Sequence, residues 1–400
     1  MPTSPSVAAS GRQWVSPVMA LGLLAATHFL VDVTAGTISP LWPGLEESLH
    51  LREGGLLWVT VCWSVTNSFG QLFFALWSDR RPSPYWIWVG PLLAILSLSC
   101  IGLAGSSIGL AGLFILGGLG VAAFHPEAAA TAGSLFPANR SRAMAIFALC
   151  GYLGQSVGPY YSGQMVDKLG FRGLLWGIAW GAPILFMLWL GLRRMAPGGN
   201  APAMETANLE SRKVPFGMIA LLLVVGASRI LPALGVPLAL AYLLKEASAS
   251  TAVVGAAQSA FMGGIGFGAM ACAAFLRPQW ERTALWIFPL LAAPVLASLG
   301  FVSDWTLVYL VALAGLLLGV TMPVYIAYGQ QILPHGQRVA SSITMGVSWG
   351  ISGAIVPVVI GTMLRFDVLP SIFWFFMSAS LLSSCLCHLL PRREIDRVRR

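Results

Sequence analysis

The chain is 400 residues long, with 10% charged and 57% hydrophobic residues and a mean hydropathy of +0.78. A soluble globular domain carries about 25% charged residues, so the composition excludes a soluble fold and places the chain in a bilayer. The net charge of +8 could suit a nucleic acid, but the placement of Lys and Arg described below accounts for it without a polyanionic partner.

Apolar runs follow one another from Trp14 to Leu390, each long enough to cross a hydrocarbon core of about 30 Å. Twelve spans are predicted, over residues 15–43, 54–78, 84–104, 107–135, 141–166, 171–192, 214–244, 251–276, 283–302, 305–333, 337–364 and 368–390. All are read as helices, because lipid offers backbone groups no partners and strand-like alternation is absent. The first run is too long for a signal-peptide core and lacks a convincing cleavage site, so it is read as a retained helix. Trp14, Trp42, Trp86, Trp280 and Trp305 stand near span ends and suit an interfacial belt.

With the N-terminus inside, 17 Lys and Arg fall on the cytoplasmic side, and only five (Arg52, Lys168, Arg172, Lys245 and Arg365) fall outside. Arg229 lies within a span. That asymmetry predicts a multi-pass protein of a bacterial inner membrane with both termini cytoplasmic. The six cysteines all lie in predicted spans without metal-ligand or disulfide spacing, and read as small packing residues.

Residues 193–213, "RRMAPGGNAPAMETANLESRK", form the one long polar segment and divide the chain into an N-terminal six-helix bundle (1–192) and a C-terminal one (214–400) with a short basic tail. The halves match at an offset of 197 residues: Asp32 and Arg229 each precede a proline (Pro40, Pro237) by eight residues. The same offset relates Arg80 to Arg277, Pro126 to Pro323 and Pro137 to Pro334. The expected fold is all-α, twelve transmembrane helices in two pseudo-symmetric six-helix bundles, a recurrent transporter design.

Specific residues go further. "LWSDRRP" after the second span, with Asp79, Arg80 and Arg81, resembles the helix 2 to 3 loop signature of the major facilitator superfamily, although Ala75 and Trp77 depart from it. "GYLGQSVGPYYSG" resembles that superfamily's helix 5 antiporter signature, with Gly154, Gly158, Pro159 and Gly163 in place and Ser162 replacing one glycine. "HFLVD", "FHPE" and "SDRR" together resemble its fosmidomycin resistance branch of drug efflux antiporters. The resemblance implies the major facilitator fold and export. Two departures stand beside it: Phe114 occupies the position of the arginine in the helix 4 signature, and "FLRPQWER" lacks the loop aspartate in the second half. Independently of the name, glycines four apart let helices approach closely, and a mid-helix proline bends the axis.

Charged groups deep in a bilayer are costly unless paired or hydrated, which makes His28, Asp32, His125, Glu127 and Arg229 candidates for function. His28 and Asp32 are i,i+4 on one helix face, about 6 Å apart along the axis, and can titrate as a coupled pair. His125 and Glu127 are i,i+2, roughly 200 degrees apart on an ideal helix, so only one is expected to face a central cavity at a time. Pro126 between them frees the Ala122 carbonyl and is expected to kink the helix. These four residues are the candidate proton-coupling groups. Arg229 is read as the partner of Asp32 across the cavity or as the group that receives an anionic cargo, two roles compatible in turn through a cycle. Asn67, Gln71, Gln155, Gln258, Tyr325 and Tyr328 are neutral candidates for lining the same cavity.

The expected function is secondary active transport: proton-coupled efflux of a small antimicrobial or metabolite, with acidic compounds among the candidates, by alternating access, by a monomer without metal or cofactor. Proton-coupled uptake of an organic anion is the alternative. An intramembrane enzyme using the four titratable residues is remote, because no local metal motif is present. No G-x-x-x-x-G-K-[ST] loop exists to bind ATP.

Overall fold

The computed structural model describes residues 16–80, 85–136, 140–194, 216–332 and 342–390. Its twelve main helices are α1 (Pro17–Gly36), α2 (Leu57–Arg80), α3 (Trp86–Ser99), α4 (Ser107–Ser134), α5 (Arg140–Leu169), α6 (Trp176–Arg194), α7 (Phe216–Glu246), α8 (Thr251–Phe275), α9 (Glu281–Ser298), α10 (Asp304–Ile332), α11 (Ser348–Arg365) and α12 (Ile372–Leu386). No strand occurs among the described residues. After α1 the chain continues through a 3-10 turn, Ser39–Leu41, into a short helix, Trp42–Ser48.

Serine caps set several starts. Ser16 Oγ accepts from the Met19 amide (3.2 Å) with Pro17 at the first helical position, and Ser106 Oγ accepts from the Gly109 amide (3.1 Å) at the start of α4. In α4 the helix runs without interruption through Pro126.

Eleven helical segments are long and apolar enough to span a membrane, among the described residues. The remaining main helix is α5, whose composition is diluted by Arg140, Arg142, Gln155, Gln164, Asp167 and Lys168. Its packing explains why it tolerates this: α5 lies against α1 on one side and α8 on the other, so much of its surface meets protein rather than lipid.

The repeat is visible in the architecture. Helices α4 and α10 start 197 residues apart, at Ser107 and Asp304. Within each half the same partners pack, α1 with α5 as α7 with α11, α2 with α4 as α8 with α10, and α3 with α4 as α9 with α10. The halves meet through α5 on α8 and through α2 on α11, two contacts that the repeat interchanges.

Hydrogen bonds joining the halves gather where α1 ends and α2 begins, here called the distal end. The Asp167 carboxylate, on α5, accepts from the amides of Thr251 and Ala252 (3.1 and 3.0 Å), holding the N-terminus of α8 from the opposite bundle. Glu46, 1% exposed, accepts from the amides of Gly54 (3.0 Å) and Leu56 (2.9 Å) and from the Tyr242 hydroxyl of α7 (3.0 Å). Lys245 Nζ lies 2.7 Å from Glu47 Oε2, and Ser39 donates to Gln258.

Candidate functional site

α1 places His28 and Asp32 one turn apart on a buried face, 7% and 3% exposed, and α4 brings His125 to the same point. His28 Nε2 lies 3.4 Å from Asp32 Oδ2, and His125 Nε2 lies 3.3 Å from Asp32 Oδ1. The two Nε2 atoms are 3.2 Å apart. Gln155 Nε2, on α5, donates to Asp32 Oδ2 at 3.2 Å. Phe147 stacks on the His28 ring with centroids 4.1 Å apart.

The other ring nitrogens decide the chemistry. His28 Nδ1 is 2.8 Å from the Phe147 carbonyl, and His125 Nδ1 is 2.8 Å from the Val121 carbonyl. A carbonyl only accepts, so both Nδ1 atoms carry hydrogen. In the neutral rings both Nε2 atoms are then lone pairs, facing each other and an acceptor-only carboxylate. Such a triangle is repulsive unless a positive particle sits within it. One added proton makes one ring an imidazolium, gives the Nε2 pair a donor, and balances Asp32 so that the buried charges sum to zero.

The ligand atoms of His28, Asp32 and His125 lie within 4.8 Å of one another, the one set of three such groups found among the described residues. Linear spacing gave no sign of this set, because His28 and His125 stand 97 residues apart on different helices. Glu127 stands outside the trio, as its angular separation from His125 requires; its carbonyl accepts from Thr131.

Glycines make the close approach possible. A Cβ on Gly151 of α5 would lie 2.6 Å from His28 Nε2 and 2.8 Å from Asp32 Oδ2. Gly154 and Gly158 meet the α1 backbone at Phe29 and Val33, and Gly163 meets that of α8 at Thr251. The helix 5 motif therefore seats α5 on α1 and, through Gly163, on α8. The sequence reading missed Phe147, Gly151, Glu46 and Asp167; only Gly151 carried a signal, as the glycine one turn before Gly154.

The expected Asp32 to Arg229 bridge is absent from this structure. Arg229 is 1% exposed in the core of the C-terminal bundle, where Nη2 donates to the Leu285 carbonyl (2.8 Å) and the Ser383 hydroxyl (3.2 Å). Nη1 reaches the Thr321 carbonyl (3.4 Å), and the Tyr325 ring lies 5.2 Å from the guanidinium carbon. Among the described residues no carboxylate pairs with it.

Tyr325 and Tyr328 are 2% and 0% exposed, and the Tyr325 hydroxyl donates to the Leu222 carbonyl, so both are core residues here and do not line an open cavity. Gln258 is fully buried between Ser39 and the Pro237 carbonyl (2.7 Å) and acts as a tie between bundles. Asn67 and Gln71, half-buried on α2, bond to each other at 3.3 Å. Phe114 is buried and stacks on Trp42, centroids 5.0 Å apart, so an apolar contact fills the place of the signature arginine. Asp79 and Arg80 close the last turn of α2; their side chains, and the whole of Arg81, lie outside the described residues. A cleft of about 410 Å³ lined by Ser156, Ser259, Gly263 and Phe267 includes none of the trio.

The Major Facilitator Superfamily model matches residues 24–357. The chain belongs to the Major Facilitator Superfamily. It is similar to the fosmidomycin resistance protein of Escherichia coli (strain K12), 22% identical over 339 residues that cover 83% of each chain. It is 25% identical over 350 residues to the uncharacterized MFS-type transporter YfnC of Bacillus subtilis (strain 168), covering 86% of this chain and 85% of that one. In fold it is similar to a bacterial homolog of the human lysosomal transporter Spinster in an inward-facing, occupied conformation, with a TM-score of 0.70 at 14% identity over 94% of this chain and 97% of that one. The protein is thus a multi-pass secondary transporter of this superfamily and not an enzyme.

Proposed function

We propose that this transporter is a proton-coupled antiporter that exports a small, acidic compound across a bacterial inner membrane, with both termini cytoplasmic. The observation that carries the reading is the triangle of His28, His125 and Asp32, whose acceptor atoms require a positive particle between them. With the proton present the three groups attract one another and draw α1 and α4 together, with α5 attached through Phe147 and Gln155. When it leaves, the lone pairs repel and the contact between the helices weakens. Proton occupancy is thereby converted into a choice between two packings of the N-terminal bundle, the kind of two-state element that alternating access needs.

Other residues take proposed roles around this centre. Glu127, two residues beyond His125, passes the proton between the trio and the aqueous opening. Asn67, Gln71 and Gln155 offer neutral hydrogen bonds to cargo. Arg229 accepts the cargo's acidic group in a state that frees its donors from Leu285 and Ser383, with Tyr325 and Tyr328 beside it. Asp79, Arg80 and Arg81 gate the cytoplasmic side. The helix 5 glycines and Pro159 are the surface on which α5 moves against α1 and α8. The name of the Escherichia coli relative, a fosmidomycin resistance protein, supports an antimicrobial as cargo.

The test uses purified protein in liposomes with an imposed pH gradient and a panel of acidic, neutral and cationic compounds. Wild type is expected to couple proton flux to movement of an acidic compound, and Asp32→Asn, His125→Gln and Glu127→Gln to lose that coupling. Wild-type coupling in all three variants would overturn the reading.

A further inference from the structure

The trio has a second property, independent of whether it carries a proton. Two imidazole nitrogens and the Asp32 carboxylate converge from α1 and α4: the Nε2 atoms lie 3.2 Å apart, His28 Nε2 is 3.4 Å from Oδ2, and His125 Nε2 is 3.3 Å from Oδ1. Tetrahedral coordination at metal–ligand distances of 2.0–2.2 Å requires ligand–ligand edges of about 3.3–3.5 Å. The Nε2–Nε2 edge and the nearest oxygen of each ring are at that length, and with one ligand atom per residue all three lie within 4.8 Å of one another, so a small turn of the carboxylate makes one face of a tetrahedral site.

The surroundings agree. Each ring donates its Nδ1 hydrogen to a backbone carbonyl at 2.8 Å, the outer-shell bond that fixes the tautomer of a metal-ligating histidine and turns its Nε2 lone pair toward the metal. Asp32 is itself oriented by Gln155. The absence of a side chain at Gly151 keeps the space beside His28 Nε2 and Asp32 Oδ2 clear. The His125 side chain is 21% exposed, so the centre is not sealed and a fourth position is left for water or another ligand. Two imidazoles and one carboxylate suit a borderline ion; Mg²⁺ and Ca²⁺ ask for six or more oxygens, which this site does not offer.

We propose that His28, His125 and Asp32 form a binding site for a divalent transition-metal ion of the Zn²⁺ class, held by the two Nε2 atoms and the carboxylate. The ion takes the place of the proton in the triangle and locks α1 to α4. Its expected consequence, arrest of transport by micromolar Zn²⁺, rests on the proton-coupling reading given above; the binding itself does not.

The experiment titrates full-length detergent-purified protein with Co²⁺, followed by displacement with Zn²⁺. Wild type is expected to show the visible bands of a tetrahedral nitrogen and oxygen site, one ion per chain, without thiolate charge-transfer absorption from the six cysteines. His28→Ala and His125→Ala are expected to weaken binding by more than about 100-fold, beyond the 10–100-fold that outer-shell changes cost, while Glu127→Gln retains it. Wild-type spectra can stand without the variants should either histidine change prevent folding: thiolate absorption alone, or no tetrahedral bands, overturns the site. Undiminished binding in both histidine variants also overturns it and leaves proton coupling standing. Tight binding at the trio with proton-linked flux indifferent to Zn²⁺ upholds the site and sinks the coupling reading instead.

Discussion

Asp32 and Arg229 stand 197 residues apart at equivalent places in the two repeats, carry opposite charges, and are each satisfied inside their own bundle. Asp32 is enclosed by α1, α4 and α5, and Arg229 by α7, α9, α10 and α12. The symmetry that relates the halves carries the interior of one bundle onto the interior of the other. It does not carry a residue across the interface to face its counterpart, so equivalence in the repeat does not predict contact.

This separation gives a measurable expectation. In the conformation described, Asp32→Asn and Arg229→Gln share no partner, so their effects on thermal stability should add to within about 0.5 kcal/mol. A double-mutant cycle on the detergent-purified protein measures this. A coupling energy above about 1 kcal/mol would show that the two side chains meet in the populated state.

Arg229 supplies a second expectation. Its guanidinium spans three helices by donating to the Leu285 and Thr321 carbonyls and the Ser383 hydroxyl, and a lysine cannot reach all three from one nitrogen. Arg229→Lys keeps the charge and leaves buried acceptors without a donor, at a cost of about 1–3 kcal/mol for each one left unpaired. The thermal midpoint should fall while charge is conserved. A variant as stable as wild type would mean that these bonds contribute nothing to holding the C-terminal bundle.

The distal seal is also testable. Asp167 holds the exposed amides at the start of α8 from the other bundle, and a hydrogen bond to a charged group contributes about 1.5–3 kcal/mol. Asp167→Ala should therefore shift the population toward states open at the distal end by roughly tenfold or more. A reporter cysteine at Ser39, whose hydroxyl bonds across the same seam to Gln258, should react faster with a water-soluble maleimide in that background. Equal labelling rates with and without Asp167 would show that the seal does not depend on this carboxylate.

Much of this architecture is legible in the sequence because its physics is local. Apolar length specifies the spans, and the offset of 197 residues recurs in helices that start at Ser107 and Asp304. α5 is the instructive case: its hydropathy is weak because its neighbours are helices, while its glycines announce close packing. The i,i+4 pair of His28 and Asp32 is local as well. The approach of His125 is not, since contact between α1 and α4 depends on how bundles pack and on Gly151 leaving room. The burial of Tyr325 and Tyr328 in this conformation was not legible for a related reason. A polar tip on an aromatic ring reads as a cavity group, yet here the Tyr325 hydroxyl is spent on a backbone carbonyl and its ring covers Arg229.

Gly151 tests whether that packing governs the centre. A methyl group there would stand 2.6 Å from His28 Nε2 and 2.8 Å from Asp32 Oδ2, well inside van der Waals contact, and the nearby backbone is fixed by Gly154 against α1. Gly151→Ala should force α5 from α1 or push His28 from Asp32. Overpacking of this kind costs about 1–3 kcal/mol, and here the strain falls on the groups that hold the proton. The expected outcome is a folded protein with a lowered thermal midpoint and proton-linked flux reduced at least about tenfold, the kinetic equivalent of 1.4 kcal/mol. Gly22→Ala on α1 is the control, because a Cβ there meets nothing within 4 Å. If Gly151→Ala transports as Gly22→Ala does, close packing of α5 against the trio is not what positions the centre.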